Sequence, residues 1–315
     1  MTARIITASA PARLDFGGGW TDVPPYAEER GGFVCNVAIE LRATVTVATA
    51  PGATAQPAAQ DGLINAALHR AALPHARATL TSQFPVGAGL GGSSAAGVAL
   101  AAALHMARGL PTDPAALAEW SRATEVEELG IAGGRQDHYA AAFGGALGLS
   151  FDRATRVEQI PLTNAGIAAL ERQITVIYTG ESRISGETIS AVLDAYRDRV
   201  PRVVDALDRM AVLARGMRSA LHASDTQTLA ALIDEHWIHQ KSLHPRITTE
   251  RIDALEQAAR AAGATAIKAL GASGGGCVLV FGGRQLEQAV RGLGKILPWR
   301  VATTGVTCAV SGAAT

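Results

Sequence analysis

A glycine-rich segment that runs straight into an alanine-rich helix is the feature that most constrains the fold of this chain. Residues 85–97 read PVGAGLGGSSAAG, and an alanine-rich run continues to His105. Because glycine has no Cβ, such a loop can curl tightly and bring its backbone N–H groups close to an anion. The first turn of the helix adds unpaired N–H donors and the positive end of the helix dipole. The segment therefore predicts a site for the phosphates of a nucleoside triphosphate.

The predicted phosphate contacts belong to this loop and to the first turn of the helix. They are Gly87, Gly89, Leu90, Gly91, Gly92, Ser93 and Ser94. Either serine is placed to cap the helix, and one hydroxyl is placed to reach a phosphate or a metal ion. The loop matches neither GxxxxGK[ST] nor GxGxxG after a strand. Taken alone, it therefore also fits a tight turn before a capped helix that binds nothing.

Composition narrows the classes of partner. The 315 residues carry 28 basic and 28 acidic side chains, which argues against bulk attraction to nucleic acid or to an anionic membrane. Three cysteines without a CxxC pair indicate reduced thiols and a cytoplasmic protein, with Cys35 and Cys277 in apolar runs that favour burial. The N-terminus lacks the apolar core of a signal peptide, and no apolar stretch is long enough to predict a transmembrane helix.

The order of elements predicts an α+β protein. Strands are expected at 4–9, 33–49, 145–151, 156–162, 174–180 and 301–310. Helices are expected at 63–73, 93–108, 114–129, 185–222, 226–243 and 249–262, with interruptions at Pro201 and Pro245. Asp113 is the expected N-cap before Pro114, residues 51–62 read as a loop, and a domain boundary is expected near 163–172.

Two further glycine-rich segments, at 8–41 and 266–281, stand before and after the phosphate-loop segment. In order, spacing and local sequence the three segments resemble those of the GHMP superfamily, which comprises the galactokinases, homoserine kinases, mevalonate kinases and phosphomevalonate kinases. The resemblance covers nearly the whole chain. It implies a two-domain fold with the active site in the cleft between an ATP-binding domain, 1–165, and a C-terminal domain, 166–315.

The same resemblance implies roles for two carboxylates twelve residues apart, Glu125 and Asp137. Glu125, with Ser94, would contact Mg²⁺, a hard cation that needs only one or two carboxylates besides phosphates and water. Asp137 would accept the proton of the acceptor hydroxyl. By residue type alone, any of Glu125, Glu127 and Glu128 could be a solvated residue, and Asp137 could be a helix cap.

The segment PARLDFGGGWTD supplies the implied acceptor site. Arg13 would lie near the catalytic aspartate and the transferred phosphate, and Asp22 would accept hydrogen bonds from sugar hydroxyls. Gly18, Gly19, Trp20 and Thr21 complete the predicted substrate contacts. The indole of Trp20 either stacks on a sugar or packs in the core. The GGWTDVPP run is similar to that of fucokinases.

Three other basic residues and two histidines complete the set of residues with an expected place. Arg183 and Lys241 are candidates to bind a phosphate already present on the substrate. Lys268, just before the third glycine-rich segment, is expected to face solvent, and that segment to support the phosphate loop. His236 and His239 are three residues apart, without an evident third metal ligand, and are expected on a solvated face.

Together these features predict an ATP- and Mg²⁺-dependent sugar kinase. The stretch RQDHYAAAFGG resembles that of heptose-7-phosphate kinases, which implies the anomeric hydroxyl of a heptose 7-phosphate as acceptor. A fucokinase-like enzyme for a free sugar, a mevalonate kinase-like enzyme and a non-catalytic sugar- or ATP-sensing protein are the alternatives. The adenine pocket is expected within residues 45–70. The oligomeric state, a homo-oligomer included, stays open.

Overall fold

The computed structural model describes residues 4–49, 62–131, 133–152, 154–181, 186–283 and 285–311. Their strands are β1 (Arg4–Gly17), β2 (Gly32–Thr49), β3 (Arg77–Ser82), β4 (Ala146–Phe151), β5 (Thr155–Ile160), β6 (Ile174–Tyr178), β7 (Ala266–Ala269), β8 (Cys277–Phe281), β9 (Lys295–Leu297) and β10 (Thr307–Ser311). Their α-helices are α1 (Tyr26–Arg30), α2 (Gly62–Arg70), α3 (Gly92–Arg108), α4 (Pro114–Ala123), α5 (Gln136–Phe143), α6 (Asn164–Gln173), α7 (Gly186–Arg197), α8 (Pro201–His222), α9 (Thr226–Leu243), α10 (Glu250–Ala261) and α11 (Leu286–Ala289).

Two antiparallel sheets organise the chain. The first has the order β10-β1-β2-β4-β5, with β3 also paired to β2, and the second has the order β7-β8-β6-β9. Helix α6 connects β5 of the first sheet to β6 of the second. The α+β class predicted from the sequence is confirmed.

Helix α3 packs against the long β1–β2 ribbon, and its composition explains how closely it does so. The eleven residues from Ser94 to Leu104 are buried, and most of them are alanine or glycine. Small side chains let the helix axis approach the sheet without leaving voids. A Cβ at Gly97 would lie 2.3 Å from Ser121 Oγ, so this glycine admits α4 at close range. The start of α3, where the phosphate loop ends, is thereby fixed against the sheet.

The second sheet and helices α7–α10 surround a separate apolar cluster that includes Tyr196, Met210 and Trp237. Trp20, from the first glycine-rich segment, also packs in this cluster. The last strand returns to the first sheet, where β10 pairs with β1 in the register Ile5↔Ser311. The division into domains at residues 165 and 166 stays a prediction, and β10 supplements the first sheet from the far end of the chain.

Most predicted elements are present with shifted ends. The prediction of a helix at 114–129 was too long, because α4 ends at Ala123 and a single π-helical turn, Thr124–Glu128, follows it. Asp113 caps α4 as expected by accepting a hydrogen bond from Ala116 N at 3.0 Å. Pro201 begins α8, as its fixed φ favours. The expected loop at 51–62 lies outside the described residues except for Gly62, which begins α2.

The structure also bears on the cysteines and on membrane-spanning helices. Cys35, Cys277 and Cys308 are free thiols, and burial raises the pKa of Cys277 to about 12. Within the described ranges, no helix is long and apolar enough to cross a membrane.

The third glycine-rich segment gives a test of backbone fit. Gly276 has a φ of 79°, and a Cβ there would lie 2.9 Å from the carbonyl oxygen of Ala88 in the phosphate loop. Gly180 has a φ of 82° but no atom within 4 Å of the same position. Both Gly→Ala variants should lose about 1–2 kcal/mol from the left-handed backbone. Gly276→Ala should lose ~1–3 kcal/mol more from crowding.

Urea unfolding of the wild type, Gly276→Ala and Gly180→Ala measures this difference in unfolding free energy. Equal losses in the two variants would show that Gly276 is needed only for its φ and not for its approach to Ala88.

Candidate active site

The phosphate loop is a succession of left-handed glycines that ends at a helix N-terminus. Gly87, Gly89 and Gly91 have φ angles of 70°, 71° and 72°. Gly91 is the N-cap of α3 and makes no side-chain cap, so the prediction that Ser93 or Ser94 caps the helix was wrong. Both serines lie inside the first turn instead. Their hydroxyls are therefore available for contacts other than capping.

The third glycine-rich segment supports this loop from behind. Cys277 N donates a hydrogen bond to Ala88 O at 2.8 Å. A Cβ on Gly89 would come within 2.6 Å of Leu270 O, and one on Gly271 within 3.1 Å of Gly89 Cα. Two backbone segments at this distance exclude side chains between them. The predicted supporting role of the segment agrees with this packing.

Arg13 and Asp137 form a two-pronged ion pair beside the loop. Arg13 Nε and Nη2 donate to the two carboxylate oxygens of Asp137 at 2.7 and 2.8 Å. The third prong, Nη1, donates to Gly89 O at 2.6 Å. The Arg13 side chain is 3% exposed and the Asp137 side chain 26% exposed, so the carboxylate forms the accessible edge of the pair. One guanidinium thus orients the carboxylate and the phosphate loop relative to each other.

The first glycine-rich segment curls beside this pair. Gly18 has a φ of 88° and Trp20 a φ of 81°, an unusual value for a residue with a side chain. Gly18 N donates to His236 Nε2 at 2.8 Å. Thr21 turns its hydroxyl back to Gly18 O at 2.7 Å and is fully buried, so its side chain closes the turn.

Asp22 joins this segment to helix α5. Its Oδ2 accepts hydrogen bonds from the backbone N–H groups of Arg135 and Gln136 at 2.8 and 3.0 Å. A Cβ at Gly134 would lie 1.9 Å from that oxygen, which explains the glycine. Burial, and then the nearby carboxylates of Asp137 and Asp15, raise the pKa of Asp22 to about 6, although the N–H of Gln136 opposes the shift.

A second polar cluster adjoins the first turn of α3. Glu125, on the π-helical turn, accepts a hydrogen bond from Ser93 Oγ at 2.8 Å and lies 3.1 Å from His138 Nε2. Burial alone would raise the pKa of Glu125, but the hydrogen bonds from His138 and Ser93 outweigh it and leave the pKa lowered. Glu127 and Glu128 turn instead to Arg70 on α2.

These groups share one cavity of about 730 Å³. Its wall includes Arg13, Trp20, Asp22, Glu125 and Asp137, together with the whole phosphate loop. The wall also has apolar residues, which include Ala43, Leu63, Leu80, Phe84 and Leu129. Only Leu63 of these lies in the 45–70 range expected for an adenine pocket. Ala43 lies on β2, Leu80 on β3, Phe84 just after β3, and Leu129 directly after the π-helical turn.

Two expectations of solvent exposure were wrong. Lys268 is fully buried, and its Nζ donates to Asp15 Oδ2 at 3.1 Å and to Asp15 O at 2.9 Å. His236 is also fully buried, and burial next to Lys268 lowers its pKa to about 3. Lys241, a candidate phosphate ligand, pairs with Glu256 at 2.9 Å and is not among the described residues that line the cavity. Arg183 lies outside the described residues.

The sequence reasoning also missed Asp15 and His138. Asp15 lies two residues after Arg13 on β1, and the cations of Lys268 and Arg13 outweigh burial and lower its pKa. His138 is 2% exposed and adjoins Asp137. The one available signal was their position close to predicted site residues, Asp15 two residues after Arg13 and His138 directly after Asp137.

Two sequence patterns of one protein family match this chain, and so do the sequences of several known proteins. The sequence pattern described as GHMP kinases N terminal domain matches residues 58–145, and that described as GHMP kinases C terminal matches residues 217–297. The chain is 26% identical to a D-glycero-alpha-D-manno-heptose 7-phosphate kinase of Campylobacter jejuni, over 88% of this chain and 89% of that protein.

A second known protein and a crystal structure are also similar to this chain. The chain is 25% identical to a bifunctional fucokinase/GDP-fucose pyrophosphorylase of Arabidopsis thaliana, over 86% of this chain but only 29% of that protein's length. A crystal structure of a D-glycero-D-manno-heptose 1-phosphate kinase from Bacteroides thetaiotaomicron superimposes with a TM-score of 0.77 at 23% identity. It covers 96% of this chain and 98% of that one, which shows a shared fold.

The raised pKa of Asp22 predicts a pH-dependent cost of folding. The pKa of Asp22 is about 6 in the folded protein and 3.8 in the unfolded chain, so between these two pH values only the folded protein binds this proton. Proton binding therefore stabilises the fold at low pH, and this stabilisation is lost as the pH rises. Asp22→Asn cannot ionise. Relative to wild type it should therefore gain ~2 kcal/mol of unfolding free energy between about pH 4.5 and about pH 7. Urea unfolding at both pH values measures this, and a constant difference would contradict the assigned shift.

Proposed function

The chain belongs to the GHMP kinases, and we propose that it transfers the γ-phosphoryl group of ATP to a sugar hydroxyl, with the anomeric hydroxyl of a heptose 7-phosphate as the first candidate. The observation that carries this proposal is the Arg13–Asp137 pair. It lies where the phosphate loop and the first glycine-rich segment line one cavity. Phosphoryl transfer depends on positioning the acceptor and on stabilising charge, and these two residue types supply both.

Asp137 is the group that takes up the acceptor's proton as the new O–P bond forms and the bond to the leaving diphosphate breaks. Two of its lone pairs are held by Arg13, and a carboxylate has further lone pairs for a hydroxyl. Arg13 cannot lose its charge, so it stabilises the negative charge that develops on the transferred group. Its third contact, to Gly89 O, keeps that charge next to the phosphate loop.

ATP fits the lining of the cavity. The glycines and the N-terminus of α3 suit the triphosphate, and the apolar lining residues suit the adenine. The donor set beside the loop also fits Mg²⁺, since Glu125 offers a carboxylate and Ser94 a hydroxyl, both hard oxygen ligands. When bound, Mg²⁺ neutralises phosphate charge. Glu125 and Ser94 would hold it, and the lowered pKa of Glu125 keeps that carboxylate ionised.

The acceptor sugar lies against the first glycine-rich segment in this proposal. Asp22 accepts hydroxyl hydrogen bonds, and Gly19 and Trp20 form the adjoining wall. The heptose 7-phosphate kinase similarity, which covers most of both chains, supports a phosphorylated heptose. The fucokinase similarity supports the alternative of a free sugar.

Among the lining residues that the structure describes, Arg13 is the one Arg or Lys, and Asp137 already pairs with it. We therefore propose Arg183 as the residue that binds a phosphate on the acceptor.

Asp137→Asn should reduce kcat by roughly 100- to 10,000-fold, because an amide cannot accept the hydroxyl proton. ATP affinity should change little, since the loop backbone and not Asp137 holds the phosphates. ADP release with ATP and Mg²⁺ measures turnover, and calorimetry measures nucleotide binding. Asp113→Asn, at a remote helix cap, is the control for folding. Wild-type turnover in Asp137→Asn would remove Asp137 from the chemical step.

A substrate panel decides between the acceptors. We expect turnover on heptose 7-phosphate to exceed that on fucose, galactose, mannose or mevalonate. Arg183→Ala should reduce kcat/KM for the phosphorylated sugar by about 10-fold or more, as expected for loss of a charge-assisted contact, and leave a free sugar unaffected. Preferred turnover of a free sugar would instead support the fucokinase-like alternative. No turnover on any sugar would support the sensing alternative.

A further inference from the structure

His138 connects the residues around the phosphate loop, and none of the roles above uses it. Its imidazole is 2% exposed and sits in the first turn of α5, directly after Asp137. Nδ1 lies 3.0 Å from Ser121 Oγ on α4. Nε2 lies 3.1 Å from Glu125 Oε2 on the π-helical turn and 3.3 Å from Ser94 Oγ on α3. One ring therefore contacts three separate elements.

The hydrogen-bond partners of His138 determine which of its ring nitrogens carries a hydrogen. An ionised carboxylate only accepts hydrogen bonds, so the contact with Glu125 requires a hydrogen on Nε2. In the neutral ring Nδ1 then accepts from the Ser121 hydroxyl. In the charged ring Nδ1 donates to Ser121 instead. Nε2 is thus a donor to Glu125 in both states, and its second contact lets the Ser94 oxygen accept from the same N–H.

This arrangement leaves specific lone pairs for a ligand. Glu125 Oε1 receives the Ser93 hydroxyl and Oε2 receives His138, so each oxygen has one protein donor and keeps further lone pairs. Ser94 is 6% exposed and also lines the cavity. The ring fixes the directions of both groups on the wall where a divalent cation would bind between the protein and the phosphates.

The surroundings hold the ring in place. Ser121 is 1% exposed, and Gly97 makes room for its hydroxyl, because a Cβ there would lie 2.3 Å from Ser121 Oγ. A glycine inside a helix costs about 1 kcal/mol relative to alanine. Here that glycine admits the hydroxyl that orients His138.

We propose that His138 is a positioning residue that aligns Glu125 and Ser94 for a divalent cation. This proposal rests on the proposed kinase function. Asp137 and His138 are neighbours in one helical turn, and they serve different groups: Asp137 the acceptor, and His138 the cation-binding pair. Residues that orient a metal ligand typically affect metal affinity by about 10- to 100-fold.

Two matched variants test the role of the ring nitrogens. The amide nitrogen of His138→Gln can occupy the place of Nε2 and donate to Glu125. The shorter side chain of His138→Asn reaches only the place of Nδ1. The readout is the dissociation constant of the non-hydrolysable analogue AMP-PNP, measured by calorimetry with Mg²⁺ and again with excess EDTA, which needs no sugar and no turnover.

The tightening of AMP-PNP binding by Mg²⁺ should fall about 10-fold or more in His138→Asn and stay within about 3-fold of wild type in His138→Gln. Binding in EDTA should be unchanged in both. In turnover assays, the half-saturating Mg²⁺ concentration should rise in His138→Asn while the KM for the sugar holds.

A wild-type response to Mg²⁺ in His138→Asn would overturn the proposal. Equal losses with Mg²⁺ and with EDTA would also overturn it, because they would indicate a purely structural ring. If His138→Asn does not fold, Ser121→Ala serves as the second variant and should show a smaller loss of the same kind, with an unchanged response again contrary to the proposal. Failure of the wild type to phosphorylate any sugar would reject the proposed function and leave this binding test standing.

Discussion

The guanidinium of Arg13 is the interaction on which the site depends. It extends from the long strand β1 and is almost fully buried. It donates three hydrogen bonds, two to the carboxylate oxygens of Asp137 and one to a carbonyl oxygen of the phosphate loop. A buried charge without partners is strongly unfavourable, so strand, loop and helix α5 must meet in one geometry to satisfy it. The ion pair contributes specificity of arrangement more than net stability, because its desolvation opposes its attraction.

Glycine makes that geometry possible, because three backbone segments approach one another too closely for side chains. Gly89 contacts Leu270 O, Gly276 contacts Ala88 O, and Gly91 leaves only 3.2 Å between its missing Cβ and that of Asp137. The second and third glycine-rich segments are therefore packed against each other, with α5 beside them. They are far apart in the chain, and the glycines of each supply the space that the other needs.

Beneath the first of these segments lies a buried polar layer. Lys268 reaches from β7 of the second sheet to Asp15 on β1 of the first, and neutral His236 on α9 accepts the N–H of Gly18. Each contact joins a part of the second half of the chain to β1 or to the residue that follows it. The first glycine-rich segment is thus held to β7 and α9 by hydrogen bonds, whose direction apolar residues could not reproduce.

The sequence by itself determined the local elements and the residue types of the site. The ends of helix α9, the N-cap role of Asp113 and the tight glycine turns of the phosphate loop were all predicted. Periodicity, capping and backbone freedom act within a few residues, so they can be read from the sequence. It misplaced Lys268 and His236 and passed over His138. A charged side chain is buried or exposed according to its partners, and Asp15 is 253 residues from Lys268. Only tertiary packing brings such partners together, and their hydrogen bonds then compensate for the loss of water around them.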